Sequence, residues 1–134
     1  MAKRFGFGRK EKLKSRKEIE ELFATGKSFP VFPLRIIFRF LPSVTGGGLK
    51  IGVSASKRYF KKAVDRNRIK RLLREAYRLQ KQDLAGAVQE QNIDGFVFFM
   101  YTGKTIASFQ EIMEAMKKSL DQLQKNLKKN ENHS

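Results

Sequence analysis

Arg66-Asn67-Arg68-Ile69-Lys70-Arg71-Leu72-Leu73-Arg74-Glu75 sets five cationic side chains and one amide around an Ile69/Leu72/Leu73 stripe. Apolar residues at that spacing mark the buried face of an α-helix, and Ala76 and Tyr77 continue the stripe. The helix is anchored to a core on one side and strongly cationic on the other. The segment from Lys57 to Lys81 carries eleven basic residues against Asp65 and Glu75. A run of Lys and Arg is ordinarily a solvated helix face. At this density, mutual repulsion destabilises the chain unless a polyanion neutralises it. A guanidinium fork matches phosphate oxygens or a purine edge, and Asn67 can both donate and accept.

The rest of the composition narrows the polyanion. A chain of 134 residues predicts one domain, 1–134, with an ordered core over about 12–127, a basic arm over 1–11 and a polar tail over 128–134. Twelve Phe and 40% apolar residues suffice for that core. The net charge of +16 points to nucleic acid or an anionic membrane surface. The membrane is the weaker choice, because the apolar run Phe96 to Tyr101 is only strand-sized. Met1-Ala2-Lys3-Arg4 is basic but lacks the long apolar segment of a secretory signal. Zero Cys excludes disulfides, thiolate metal sites and cysteine nucleophiles. A soluble, cytoplasmic nucleic-acid-binding domain is the expectation.

Along the chain, Ser15 and Glu18 have capping-box spacing, and Ile19, Leu22 and Phe23 supply an i, i+3, i+4 face ended by Gly26. Pro30 and Pro33 keep the next stretch extended. From Leu34 to Phe40 the side chains alternate: Leu34, Ile36, Phe38 and Phe40 face one way, Arg35, Ile37 and Arg39 the other. Pro42 to Gly48 reads as a hairpin connection and Leu49 to Ala55 as the returning strand. The basic connector Ser56 to Lys62 leads into a helix from about Val64 to Leu84. Residues 85–94 read as a polar linker. Phe96 to Tyr101 is a strand covered by other elements. Ser108 and Glu111 repeat the capping-box signal before a last helix carrying Ile112, Met116, Leu120, Leu123 and Leu127. The chain is thus expected to hold three helices and strands over Leu34 to Phe40, Leu49 to Ala55 and Phe96 to Tyr101.

Enzymatic constellations are missing. The only His, His133, lies one residue from the C-terminus, and catalysis needs held geometry. Glu18, Glu20 and Glu21 read as helix-start and surface charges, Asp65 as a helix-start residue and Glu75 as a partner along its helix. No carboxylate pair or cluster has metal-ligand spacing, so neither catalytic nor metal-binding residues are assigned. Gly46-Gly47-Gly48 has no following Gly-Lys-Ser/Thr and reads as a flexible turn rather than a phosphate loop. A second surface is in prospect instead. If helices cover the Leu34/Ile36/Phe38 face, the Arg35/Ile37/Arg39 face stays open, with Ile19 and Phe23 at its border. Backbone charge and base stacking are met together on such a surface, which suits single-stranded nucleic acid, although Ile19 and Phe23 also read as core residues.

The stretch Ala63 to Ala76, with Arg66-Asn67-Arg68 preceded by Ala63-Val64, resembles the signature of the protein subunit of bacterial ribonuclease P. Ile51-Gly52-Val53-Ser54-Ala55-Ser56-Lys57 before it, and the opening helix Leu13 to Gly26, match in order, so the resemblance covers roughly residues 12–125. It implies a small α+β sandwich of a mostly antiparallel sheet with three helices and a left-handed βαβ crossover, opposite to the general rule. It also implies an accessory role to a catalytic RNA that removes the 5′ leader from precursor tRNA, with one protein per RNA and Mg2+ held by the RNA partner and substrate. Carried over by position, Lys57, Arg58, Lys61, Lys62, Arg66, Asn67, Arg68, Lys70, Arg71 and Arg74 meet the catalytic RNA. Ile19, Phe23, Arg35, Ile37 and Arg39 line the cleft for the leader. Two departures stand out: many relatives carry an aromatic at the place of Ile19 and another near Ile37, and Arg58-Tyr59-Phe60-Lys61-Lys62 lacks a glycine and is one residue longer than the common connector. The residues by themselves leave three rivals: a ribosomal-type RNA-binding protein, a DNA-binding regulator using the basic helix, and a self-sufficient nuclease. The regulator lacks a short helix-turn-helix pair, and the nuclease lacks held acids or His.

Overall fold

The most apolar strand, Ile93–Tyr101, stands inside the sheet with a neighbour on each side. The computed structural model describes residues 12–13 and 15–132, with side chains up to 128. The elements run α1 (Arg16–Thr25), β1 (Lys27–Val31), β2 (Leu34–Pro42), β3 (Gly48–Ala55), α2 (Ala63–Gln80), α3 (Gln82–Glu90), β4 (Ile93–Tyr101) and α4 (Phe109–Asn132). The sheet order is β1-β2-β4-β3, antiparallel except for the β3–β4 pair. The expected basic arm over 1–11 and His133 lie outside the described residues. Helix α4 continues to Asn132, through most of the stretch expected as a tail.

That order corrects the expected hairpin between Leu34–Phe40 and Leu49–Ala55. β4 inserts between the two strands, because a strand apolar on both sides is best buried at the centre. Residues 43–47 therefore cross the end of β4 instead of turning back on β2. The Ser43 amide donates to the Asn92 carbonyl at 2.8 Å. The Ser43 hydroxyl accepts from the amides of Thr45 and Gly47 at 3.1 and 3.0 Å. Gly47 has φ +89°, and a Cβ there would sit 2.9 Å from the carbonyl oxygens of Val88 and Ile93, so glycine is required for the crossing.

Among the described residues there are four helices, not three. The helix expected over about Val64 to Leu84 stops at Gln80, and the stretch expected as a linker over 85–94 is mostly α3 and the start of β4. Leu84 and Val88, four residues apart, are buried, so a short apolar stripe inside a polar sequence was enough to make a helix. Together α2 and α3 form the crossover between parallel β3 and β4. The stretch around Pro30 is extended as expected, and it is also a strand: β1 pairs with β2 at the sheet edge, where Pro is tolerated.

Both capping signals form. The Ser15 hydroxyl accepts from the Glu18 amide at 3.3 Å. At α4 the box is reciprocal: the Ser108 amide donates to Glu111 Oε1 and the Glu111 amide to Ser108 Oγ, each at 3.1 Å. Ile69, Leu73 and Tyr77 of α2 and Ile112, Met116 and Leu123 of α4 are buried in one cluster with Leu34, Ile36, Val97 and Phe99 of the sheet. A separate cluster on the opposite sheet face joins Leu13, Leu22 and Phe98. Helices therefore cover both faces, α1 alone on one and α2–α4 on the other.

Candidate nucleic-acid interface

The burial of Ile69, Leu73, Ala76 and Tyr77 fixes the orientation of α2. At 100° per residue the opposite side falls on Asn67, Arg71 and Arg74, with Arg68 on one flank and Lys70 on the other. Asn67, Arg68, Arg71 and Arg74 are exposed and Lys70 is partly exposed. None of these basic side chains makes an ion pair among the described residues. The ridge thus displays its charge to solvent along some 1.5 Å per residue of helix. Glu75, the acid within it, is occupied: Arg78 Nε donates to its Oε1 at 3.0 Å. That hydrogen bond holds the Glu75 carboxyl below its ordinary pKa, outweighing burial, which pushes the other way; the attraction of the guanidinium adds less.

Arg66 differs from its neighbours. It is partly exposed, and its Nη1 donates to the carbonyls of Phe60 and Lys61 at 2.7 and 2.9 Å. Its guanidinium clasps the connector to the first turn of α2. Lys62, the residue before the helix, makes no side-chain cap, and Asp65 sits in the first turn rather than capping it. Lys57, Arg58, Lys61 and Lys62 are exposed on the connector. Phe60 is the exception there: it is 6% exposed and packs its ring 5.9 Å from that of Tyr101. One buried aromatic and one Arg clamp therefore fix a segment that otherwise bears cations.

The other surface is the face of the sheet under α1. The strand registers align Arg35, Met100 and Ser54 in one row, Ile37, Phe98 and Gly52 in the next, and Arg39, Phe96 and Lys50 in a third. Helix α1 lies over the second and third rows. Leu22 is buried against Phe98, and Ile19 and Ile37 pack on the same cluster. Phe23 meets Phe98 edge-on with centroids 5.2 Å apart, yet remains 46% exposed. A Cβ on Gly52 would come within 2.4 Å of the Phe98 ring, so glycine gives that ring its place on the sheet.

Ion pairs hold the two flanks of α1. Arg39 Nη1 donates to Glu21 Oε1 at 2.8 Å and Lys50 Nζ to Glu18 Oε2 at 3.1 Å. Glu18 and Glu21, expected as plain helix-start and surface charges, are thus tethers, whereas Glu20 pairs only along the helix with Arg16. Of the five cleft residues singled out from the sequence, Ile19, Phe23 and Ile37 come together. Arg39 is engaged by α1. Arg35 stands exposed at the uncovered row, without an ion-pair partner among the described residues. Phe98 and Met100 belong to the same face and escaped notice, because the run Phe96 to Tyr101 is apolar on both sides and its alternation is masked. β3 joins the two surfaces: α2 packs on one side of it while Gly52 and Ser54 show its other side.

No group of three or more His, Cys, Asp or Glu is placed to hold a metal ion among the described residues. None of the described helices is long and apolar enough to cross a membrane. Fold and surface together define a basic α+β domain with a cationic helix ridge on one side and a cleft of aromatic, aliphatic and basic side chains on the other.

The family model described as Ribonuclease P matches residues 7–124. The ribonuclease P protein component of Porphyromonas gingivalis is 40% identical over 116 residues, spanning 87% of this chain and 85% of the relative. That of Nitrosococcus oceani is 33% identical over 84 residues, 63% of this chain and 68% of the relative. Among solved structures, the Staphylococcus aureus RNase P protein superposes with a TM-score of 0.62 at 20% identity, covering 83% of this chain and 93% of that one. The Thermotoga maritima RNase P protein gives 0.60 at 22% identity, covering 84% and 96%. The chain belongs to the ribonuclease P protein family.

Proposed function

We propose that this chain is the protein component of a cytoplasmic ribonuclease P holoenzyme, binding the catalytic RNA through α2 and its connector and the 5′ leader of precursor tRNA on the α1 face. The observation that carries the reading is the ridge Asn67-Arg68-Arg71-Arg74, whose cations have no ion-pair partners among the described residues. Unpaired charge at that density gains most from a polyphosphate, since each neutralised phosphate releases condensed counterions. Arg66 would serve the same interface by fixing the connector that carries Lys57, Arg58, Lys61 and Lys62. On the other face, Phe23 and Ile37 offer apolar area to unstacked bases, and Arg35 offers charge to the strand's backbone. The chain contributes binding and charge screening. Mg2+ belongs to the RNA partner and substrate in this reading, and supplies the activation of the attacking water there.

Reconstitution tests it. The purified chain, ribonuclease P RNA and precursor tRNA are mixed at low Mg2+, with each component omitted in turn. The expected outcome is leader removal that needs the RNA and is stimulated by the chain. Cleavage by the chain alone points to a self-sufficient nuclease, and absence of stimulation to an RNA-binding protein without a processing role; either rejects the proposal. Arg68→Ala should weaken RNA binding and lower the slope of log affinity against log salt by about one unit.

A further inference from the structure

The connector and the loop after β4 leave the sheet side by side, because Ala55 and Tyr101 are partners at the ends of parallel β3 and β4. Between them stands Tyr59. Its ring is 40% exposed, with Arg58 Cζ and Lys104 Nζ each 5.7 Å from its centroid. Both distances fall within cation–π range. The ring is also held from below. The Phe60 amide donates to the Ser56 carbonyl at 3.0 Å and the Arg58 amide to Ser56 Oγ at 3.0 Å, so residues 56–60 form a closed turn. Phe60 plugs that turn into the core against Tyr101, and Arg66 clamps its far side. The Tyr101 hydroxyl in turn donates to the Thr105 carbonyl at 2.6 Å and accepts from the Ala107 amide at 2.8 Å, which fixes the loop that bears Lys104.

We infer that Tyr59, with Lys104 and Arg58, is a nucleobase-stacking site that extends the RNA-binding ridge beyond the N-terminus of α2. The inference rests on the RNA-binding reading above and names an unpaired base of the catalytic RNA as the occupant. A partly exposed aromatic on a fixed turn stacks a base with little ordering cost once the base displaces a cation from the ring face, and the displaced ammonium or guanidinium then takes a neighbouring phosphate. Every charge on the connector around the ring is positive, which favours RNA over an acidic-poor protein or an apolar partner. Two residues sit outside the family signature in this role: Tyr59, in the connector that departs from the common pattern, and Lys104, from a distant loop.

The test uses the full chain and ribonuclease P RNA. The sequence contains no Trp, so Tyr59→Trp introduces a single fluorophore at the site. Saturating RNA is expected to quench its emission. Tyr59→Ala should weaken binding about tenfold, within the range of one base stacked on one aromatic, with the salt slope unchanged. Tyr59→Phe should bind like the parent, and Lys104→Ala should lower the slope by about one unit. Thermal unfolding of each variant separates misfolding from lost contact. Unquenched Trp emission at saturation, parent-like binding by Tyr59→Ala, or equal loss in Tyr59→Phe and Tyr59→Ala overturns the stacking site. If the parent binds and Arg68→Ala lowers the slope while the Tyr59 variants behave as the parent, only this inference fails. If the parent itself does not bind, the RNA-binding reading fails and this one with it.

Discussion

Helices α1 and α2 each carry one of the two surfaces, and the sheet holds them by different means. α2 sends four residues into the main core and leaves its Arg and Lys turned outward, with Arg66 alone clasping the connector. α1 has a single buried residue, Leu22, in a small satellite cluster, and is tethered at its flanks by Arg39 and Lys50. On α2 the core supplies rigidity and the charges face solvent. On α1 the charges do part of the holding. A rigid electrostatic ridge and a lightly docked helix beside an apolar cleft suit different ligands: a fixed phosphate array for the first, a strand of variable sequence for the second.

The sharpest way to break this contrast is to remove one Leu from each helix. Leu73→Ala opens a cavity in the main core and should lower global stability by about 2–5 kcal/mol in denaturant titration. Leu22→Ala removes the one buried anchor of α1, whose undocking leaves the main core standing. The global loss should be smaller, and hydrogen exchange should show α1 amides losing protection while α2 amides keep theirs. Loss of protection in α2 in step with α1 would show that the two helices form one cooperative unit.

A smaller effect distinguishes the two kinds of Arg. Arg71→Ala leaves the fold within about 0.5 kcal/mol, as surface changes usually do. It should reduce the slope of RNA affinity against salt by about one unit. Arg39→Ala cuts a partly exposed tether worth about 0.2–1 kcal/mol, so its cost should appear in the stability of α1. Its effect on the salt slope for the catalytic RNA should be nil. A slope change as large in Arg39→Ala as in Arg71→Ala would show that both faces engage the same RNA.

The local signals in the sequence were faithful where a local cause decides. The two capping boxes, the alternation over Leu34 to Phe40 and the buried stripe of α2 all depend on spacing within one element, and all are present. What lay hidden depends on pairing between distant segments. The position of β4 between β2 and β3 follows from which strand needs two covered faces, and the glycines at 46 and 47 suit a hairpin and a crossing equally well. Helix α3 escaped because its stripe is Leu84 and Val88 alone. In the site, sequence separates Arg from Lys but not a free Arg from a tethered one: Arg39 and Arg71 read alike, and only the register of β2 against α1 assigns Glu21 to the first. Phe98 and Met100 were masked because a strand covered on both faces shows no alternation.

The smallest effect concerns the one acid embedded in the ridge. Glu75 is partly exposed and hydrogen-bonded to Arg78, which lowers the pKa of its carboxyl from the ordinary value of 4.5. A group whose pKa falls on folding contributes stability above its unfolded pKa, and that contribution is lost as pH falls through the folded value. The raised pKa of Arg78 adds nothing within this range, since its stabilising effect is complete at any pH below the ordinary guanidinium range. Parent and Glu75→Gln should therefore differ by a constant small amount from neutral pH down to the carboxylate range. Below the lowered pKa the two should converge, and at high salt the gap should narrow throughout. RNA affinity should change in the opposite sense: Glu75→Gln removes the negative charge nearest Arg71 and Arg74 along α2, so binding at neutral pH should tighten slightly. Weaker binding by Glu75→Gln would mean that Glu75 positions the ridge rather than merely offsetting its charge.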